Sequence, residues 1–224
     1  MHKNKYMNTF AEENYLKAIL SLSLQGGELV STNEIAAEIS TSAASVSDML
    51  KKLQEKDLII YTKYKGVSLN MKGTKIAVNI LRKHRLWETF LVRKLEFNWD
   101  EVHEVAEQLE HIKSEELVDK LDSFLNFPKF DPHGEVIPTK DGKIPKTDRV
   151  PLSEIEENTN GTVLGVTLDE SSFLQYLNKL EIQIGTEIEI FDRIDFDKSV
   201  NISINNKKQN VSNEVAKHLL INKK

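Results

Sequence analysis

Residues 31–53 read STNEIAAEISTSAASVSDMLKKL, and this stretch decides the N-terminal fold. Ser31 or Thr32 can cap a helix over about 32–39 that carries Ile35, Ala36 and Ile39. Ser40-Thr41 makes a short turn. Ser42 then caps a helix over about 43–56, whose Val46, Met49, Leu50 and Leu53 form an apolar face. Upstream, residues 10–25 read as a helix with Tyr15, Leu16, Ile19, Leu20 and Leu22 on or near one face, ended by Gly26-Gly27. Downstream, Leu58-Ile59-Ile60-Tyr61 and Val67-Ser68-Leu69 read as two short strands joined through Lys65-Gly66. Three helices followed by a hairpin make the winged helix-turn-helix pattern.

In that pattern the helix at 43–56 is the recognition helix. Its start offers Ser42, Ala44, Ser45 and Ser47, small enough for close approach to phosphates and base edges. Asp48 follows in the same turn, and an acid that reached a base edge would accept from cytosine rather than donate to guanine. Lys51 follows, and the hairpin tip adds Lys63, Tyr64 and Lys65 for a phosphate backbone. Charge distribution agrees. Residues 1–95 carry 15 Lys/Arg against 9 Asp/Glu, whereas residues 96–224 carry 15 against 26. A basic first part on a chain of net charge −5 suggests a polyanionic partner. The plainer alternatives are a helical bundle with solvated lysines, or a winged helix that binds protein.

The 224 residues suffice for two or three small domains. All five prolines fall between Pro128 and Pro151, so residues 128–152 read as a linker between a mainly helical and a mainly β part. There is no apolar run of membrane-spanning length and no apolar signal core after the first residues, so a cytoplasmic protein without a membrane partner is expected. The chain has no cysteine, which excludes disulfides, iron–sulfur clusters and thiolate zinc sites. Any metal must be held by imidazole, carboxylate, amide or backbone oxygen, a donor set suited to manganese, iron(II), zinc or nickel.

Asn70 can cap a long helix over about 72–96, followed by helices at about 100–111 and 114–125. On the long helix, Ala77, Ile80, Leu81, His84, Glu88, Leu91 and Leu95 share one stripe. His84 and Glu88 thus interrupt an apolar face, where a carboxylate needs a cation or good hydrogen bonds. On the next helix His103, Glu107, Glu110 and His111 project from one side, beside the apolar side of Val102, Val105, Ala106, Leu109 and Ile112. The alternatives are a buried His–Glu pair and a solvated acidic face. The spacing is not His-Glu-x-x-His, because Glu107 stands where that zinc-peptidase motif needs histidine.

These residues resemble the diphtheria-toxin-repressor family of iron-dependent repressors and manganese transport regulators. The most specific segments are Arg82-Lys83-His84-Arg85-Leu86-Trp87-Glu88, Val102-His103-Glu104-Val105 with Glu110-His111, and Pro132-His133-Gly134-Glu135-Val136-Ile137-Pro138. The resemblance covers essentially the whole chain. It implies a mainly α protein with a small β domain: a winged helix-turn-helix over 1–73, a helical dimerisation and metal-binding domain over 74–127, the linker over 128–152, and an SH3-like β-barrel over 153–224. The alternation from Ile182 to Ile190, and Val200-Asn201-Ile202-Ser203-Ile204 with a hairpin at 205–208, fit that last domain.

By position, the resemblance implies two metal sites per subunit. One uses His84, Glu88 and His103, completed by Asp169 and Ser172, with Glu170 and Ser171 as alternatives one residue away. The other uses Glu107, Glu110 and His111 with Asn14. Iron-type members carry cysteine and methionine at the positions of Glu107 and Asn14, whereas manganese-type members carry glutamate and aspartate. Glu107 favours Mn(II), and Asn14 leaves Fe(II) open. Lys17 stands where some two-domain manganese regulators place a further acid. The expected function is a homodimeric, metal-dependent repressor of metal-ion homeostasis that binds a pseudo-palindromic double-stranded operator and is not an enzyme. Dimer contacts are expected at Trp87, Phe90, Phe124 and Phe127. A winged helix sensing an organic ligand is the second reading, which a His103→Ala variant in a metal titration separates from the first. A metal-dependent hydrolase is the third, and it leaves the basic winged helix unexplained.

Overall fold

The computed structural model describes residues 8–27, 29–62 and 65–223, which divide into two compact units. One unit takes in the chain up to His84, with Leu109–Lys113 and Pro138–Lys143. It opens with α1 (Phe10–Gly26), started by a reciprocal capping box between Thr9 and Glu12. Ser31 and Glu34 start α2 (Thr32–Glu38) in the same way. The Ser42 hydroxyl accepts from Ser45 N to start α3 (Ala43–Glu55). Strands β1 (Ile59–Thr62) and β2 (Gly66–Leu69) pair antiparallel, Ile59 opposite Leu69. Val30 adds a bridge, exchanging both backbone hydrogen bonds with Val67 at 2.9 Å. This close approach accounts for Gly66, where φ is +132° and a Cβ would lie 2.6 Å from Val30 O.

Leu16, Ile19, Ile35, Val46 and Leu53 are fully enclosed in this unit. Each such side chain contributes roughly 1.5–3 kcal/mol through removal from water. Asn70 Oδ1 accepts from Lys72 N and Gly73 N, each at 3.0 Å, and so begins α4 (Met71–Leu95).

The second unit runs from Arg85 to Gln108, from Ser114 to Ile137, and onward from Ile144. Its helical part holds the second half of α4, most of α5 (Val102–Leu109), and α6 (Glu115–Phe124), which Ser114 caps. Its β part comprises β3 (Val150–Pro151), β4 (Thr159–Val166), β5 (Glu187–Arg193), β6 (Val200–Ile204), β7 (Lys207–Val211) and β8 (Leu219–Lys223). The strands form one antiparallel sheet in the order β3-β8-β4-β5-β6-β7. Helices α7 (Ser171–Lys179) and α8 (Asn213–His218) complete it. Val200, Ile202 and Ile204 point alternately into a core shared with Leu174, Leu177, Ile188 and Ile190. Asn205 and Asn206 both have left-handed φ, 51° and 64°, which closes the β6–β7 hairpin in two residues.

Several expectations shift. The alternation from Ile182 becomes a strand only at Glu187, because Gly185 turns at φ +92° and Thr186 N bonds back to Gln183 O. Leu95 is 53% exposed, so the apolar stripe of α4 ends at Leu91. The proline-rich stretch contains ordered backbone pairing: Phe130 bridges Val136, and Val166 N donates to His133 O at 2.9 Å. The second contact sets residues 131–136 against β4. Gly134 sits there with φ +81°, and a Cβ would collide with the Leu164 carbonyl oxygen. Gly134→Ala is therefore expected to destabilise the protein by about 2 kcal/mol or more, read as a lower urea midpoint.

Candidate metal centre

Two clusters of titratable side chains stand out, one in each unit. In the second unit the centre is Glu88 on α4, only 2% exposed. His103 Nδ1 lies 3.7 Å from its Oε1, and His133 Nδ1 lies 3.7 Å from its Oε2. Asp131 Oδ1 accepts from His133 N at 2.8 Å and Glu135 N at 2.9 Å, a tight turn built by the side chain itself. Its Oδ2 is buried without a hydrogen bond. One ligand atom each from Glu88, Asp131 and His133 falls within 4.8 Å of the others. His133 Nε2 donates to Trp99 O at 2.8 Å, which leaves Nδ1 toward Glu88. Arg85 holds the loop from outside, donating to Val136 O at 2.6 Å and pairing with Glu135 at 2.7 Å. His103 also faces Asp169 at 3.3 Å and Glu107 at 3.6 Å.

These contacts set the protonation. Glu107 first, then Glu88, hold the His103 imidazolium up to about 10. Burial disfavours the His133 cation, but Glu88 and Asp131 outweigh it and lift this group to about 9. Burial, then the Glu88 and Glu135 carboxylates, push Asp131 well above the usual carboxylate range. Without metal, protons balance this cluster. A dication with oxygen and imidazole ligands would replace them with little change in net charge, and Asp131 Oδ2, which lies 3.5 Å from Arg85 Nε but has no hydrogen bond, is a donor it could use.

In the first unit one face of α1 carries Phe10, Glu13, Asn14 and Lys17, the i, i+3, i+4, i+7 spacing of a helix stripe. Three of these meet residues 110 and 111. Phe10 stacks on the His111 ring at 4.4 Å, Glu13 Oε2 lies 2.6 Å from His111 Nδ1, and Lys17 Nζ lies 2.8 Å from Glu110 Oε2. His84 Nδ1 approaches the same Glu110 oxygen at 2.6 Å. Lys83 Nζ steadies the segment by donating to Ile112 O at 2.9 Å. Two buried oxygens, Asn14 Oδ1 and Glu110 Oε1, have no hydrogen bond. His111 Nε2 lies 3.9 Å from Glu110 Oε1. These donor types suit a cation, and Glu13 orients the His111 imidazole.

The set expected on one helix side, His103, Glu107, Glu110 and His111, is divided by the structure. Helix α5 ends at Leu109, so Glu110 and His111 leave its helical spacing and turn to α1, while Glu107 pairs with His103. His84 stands on α4 one turn before Glu88. Asp169 reaches His103, and Ser172 is exposed on the first turn of α7. Sequence reasoning missed Asp131, His133 and Glu13 as site residues. The Pro132-His133-Gly134 segment was the available signal for the first two, but its meeting with Glu88 is tertiary.

On the winged helix, Ser42, Ala44, Ser45, Ser47, Asp48, Lys51 and Lys65 are all exposed. Lys63 and Tyr64 lie outside the described residues. Ser42 and Ser45 hydroxyls bond each other at 2.9 Å, and Lys51 pairs with Asp48 at 3.1 Å in the open, a contact weak enough to exchange for phosphate. Phe124 and Phe127 are 59% and 67% exposed, whereas Trp87 is buried within the chain.

A winged helix combined with imidazole–carboxylate clusters and a small β domain defines a class, the metal-dependent transcription regulators. Comparisons with known proteins agree. The N-terminal DNA-binding domain of iron-dependent repressors matches residues 7–67, their metal binding and dimerisation domain residues 70–139, and the FeoA domain residues 150–223. The HTH-type transcriptional regulator MntR of Geobacillus thermodenitrificans is 30% identical over 121 residues, 54% of this chain and 84% of that protein. The iron-dependent repressor IdeR of Mycobacterium leprae is 32% identical over 126 residues, 56% of this chain and 54% of that protein. The chain thus matches about half or less of the length of several curated relatives. A solved structure, a manganese-dependent transcriptional repressor in complex with manganese, superposes with a TM-score of 0.87 at 30% identity, covering 95% of this chain and 100% of that one. The chain belongs to the iron-dependent repressor family. Among the described residues no helix is long and apolar enough to cross a membrane.

The protonation state makes a prediction. His103 and His133 are protonated at neutral pH, with values of about 10 and about 9, and an imidazolium cannot ligate. A metal held by these imidazoles would have to displace the proton, so its affinity should weaken as pH falls and strengthen as pH rises toward those values. Each displaced proton makes a contribution of up to about tenfold per pH unit. Calorimetry at neutral pH in buffers of different ionisation heat should report net proton release, and pH-independent affinity would contradict this protonation state.

Proposed function

We propose that the protein is a homodimeric, metal-dependent DNA-binding repressor of metal-ion homeostasis, with Mn(II) as its corepressor and no enzymatic activity. The observation that carries this reading is the set of buried oxygens without a hydrogen bond, Asn14 Oδ1, Glu110 Oε1 and Asp131 Oδ2, in a chain that bears a winged helix and buried imidazoles. Hard oxygen donors and the absence of any thiolate favour manganese. Iron(II) is the second reading, on the strength of the iron-dependent relatives and of Asn14, a weaker donor than a carboxylate.

Two ions per subunit are proposed. One is assigned to Glu88 with His84 and His103, together with Asp131, His133 and Asp169. The other is assigned to Asn14, Glu110 and His111, with Glu107. Bound metal supplies the positive charge that fixes these side chains in one arrangement. The chain's own residues do the rest. Ser42, Ala44, Ser45, Ser47 and Asp48 meet the major groove of a pseudo-palindromic operator, and Lys51, Lys63, Tyr64 and Lys65 meet its backbone. Metal that prefers the DNA-competent arrangement raises operator affinity by the population it gains. Phe124 and Phe127, with Phe90, are proposed to lie in the dimer interface.

The test is an anaerobic titration of operator binding with Mn(II), Fe(II) and Zn(II). Manganese is expected to act at the lowest free concentration, and a response to zinc alone would remove the assignment. His111→Ala should lower metal affinity by at least the roughly 10–100-fold that follows loss of a group merely orienting a ligand. Asn14→Asp, which adds a charged oxygen, should strengthen manganese binding in the same calorimetric experiment.

A further inference from the structure

We propose that the Glu12–Lys56 ion pair couples the metal-binding face of α1 to the recognition helix α3. The inference rests on the functional reading above. Lys56 is the C-cap residue of α3, and its backbone N–H still bonds to Lys52 O. Its ammonium crosses to α1 and donates to Glu12 Oε2 at 2.7 Å. The same oxygen accepts from Thr9 N at 2.8 Å, so the carboxylate is fixed to the α1 backbone as well as to α3. The Glu12 side chain is 7% exposed and that of Lys56 34%. This is a partly desolvated, charge-assisted contact rather than a surface pair.

The position of Glu12 gives the contact its meaning. Its neighbour Glu13 reaches His111, and Phe10 stacks on the same ring. The first turn of α1 is therefore held on one side by the proposed ligand segment and on another by the end of the recognition helix. The buried surfaces of α1 and α3, Leu16 and Ile19 with Val46, Leu50 and Leu53, are apolar. Apolar burial holds helices together without direction, whereas a hydrogen-bonded ion pair fixes one register. A displacement of α1 imposed at residues 110 and 111 is passed by this pair to α3. Glu12 and Lys56 are thus positioning residues: neither ligates metal in this scheme.

The test compares operator affinity with manganese and with chelator, for the full chain and for Lys56→Met, Glu12→Gln and Lys56→Arg. Glu12→Gln keeps an acceptor for Thr9 N and removes the charge. The ratio of the two affinities measures coupling. In Lys56→Met and Glu12→Gln it should fall about fivefold or more, within the usual range of coupling between sites. Their double variant should lose no more than either alone. Lys56→Arg should retain the ratio. Manganese affinity without DNA, measured by calorimetry, should change less than about twofold, and the reciprocal gain in manganese affinity caused by operator should fall by the same factor as the ratio. An unchanged ratio in both neutral variants overturns the proposal. So does an equal loss with and without metal, which would make Lys56 a phosphate contact. If the parent chain itself binds operator equally in manganese and chelator, the functional reading fails first and the coupling with it.

Discussion

Two carboxylates shape the helical part of this molecule. Glu88 and Glu110 are almost wholly withdrawn from water, and a lone buried charge of that kind costs several kcal/mol. Each is surrounded by groups that offset the cost. Imidazoles flank Glu88, and the side-chain-built turn at Asp131 brings one of them there. A lysine ammonium and an imidazole meet Glu110. The surrounding architecture follows from keeping those partners in place. Residues 131–136 bond to β4, Arg85 holds the same loop, and Lys83 steadies the segment that carries Glu110 and His111.

Lys17 deserves comparison with a metal ion. It brings one positive charge to Glu110 on a flexible stem, and it leaves the other carboxylate oxygen and the Asn14 amide oxygen without a hydrogen bond. A lysine thus satisfies the charge of the site but not its full set of lone pairs. A cation with several coordination positions does both.

Local signals were the most legible. Ser31, Ser42 and Asn70 all begin helices at the positions their chemistry suggests, because capping needs only residues within one turn. The β6–β7 hairpin was readable for the same reason. Tertiary facts were not. Asp131 and His133 gain their role by meeting a glutamate more than forty residues earlier, and no periodicity announces such a meeting. The four polar residues on α5 looked like one cluster because the helix was extended to residue 111, while it ends at Leu109. Strands β4 and β8 were unread. Gly161 and Gly165 interrupt the alternation of the first, and β8 follows α8 directly with no turn residue between them. The family resemblance added what local patterning could not, the SH3-like character of the β part.

The donor set carries a consequence for oxidative chemistry. Every proposed ligand ends in a carboxylate, amide or imidazole, and the chain contains no thiol. Peroxide has no cysteine here to convert to sulfenic acid, so the protein side of these centres lacks the usual reversible redox handle. Sensitivity to oxidants then resides in the ion. Iron(II) held there would be open to oxidation, whereas manganese(II) is harder to oxidise. Under the proposed function, the chain would read metal supply during oxidative stress only as faithfully as its bound ion resists oxidation.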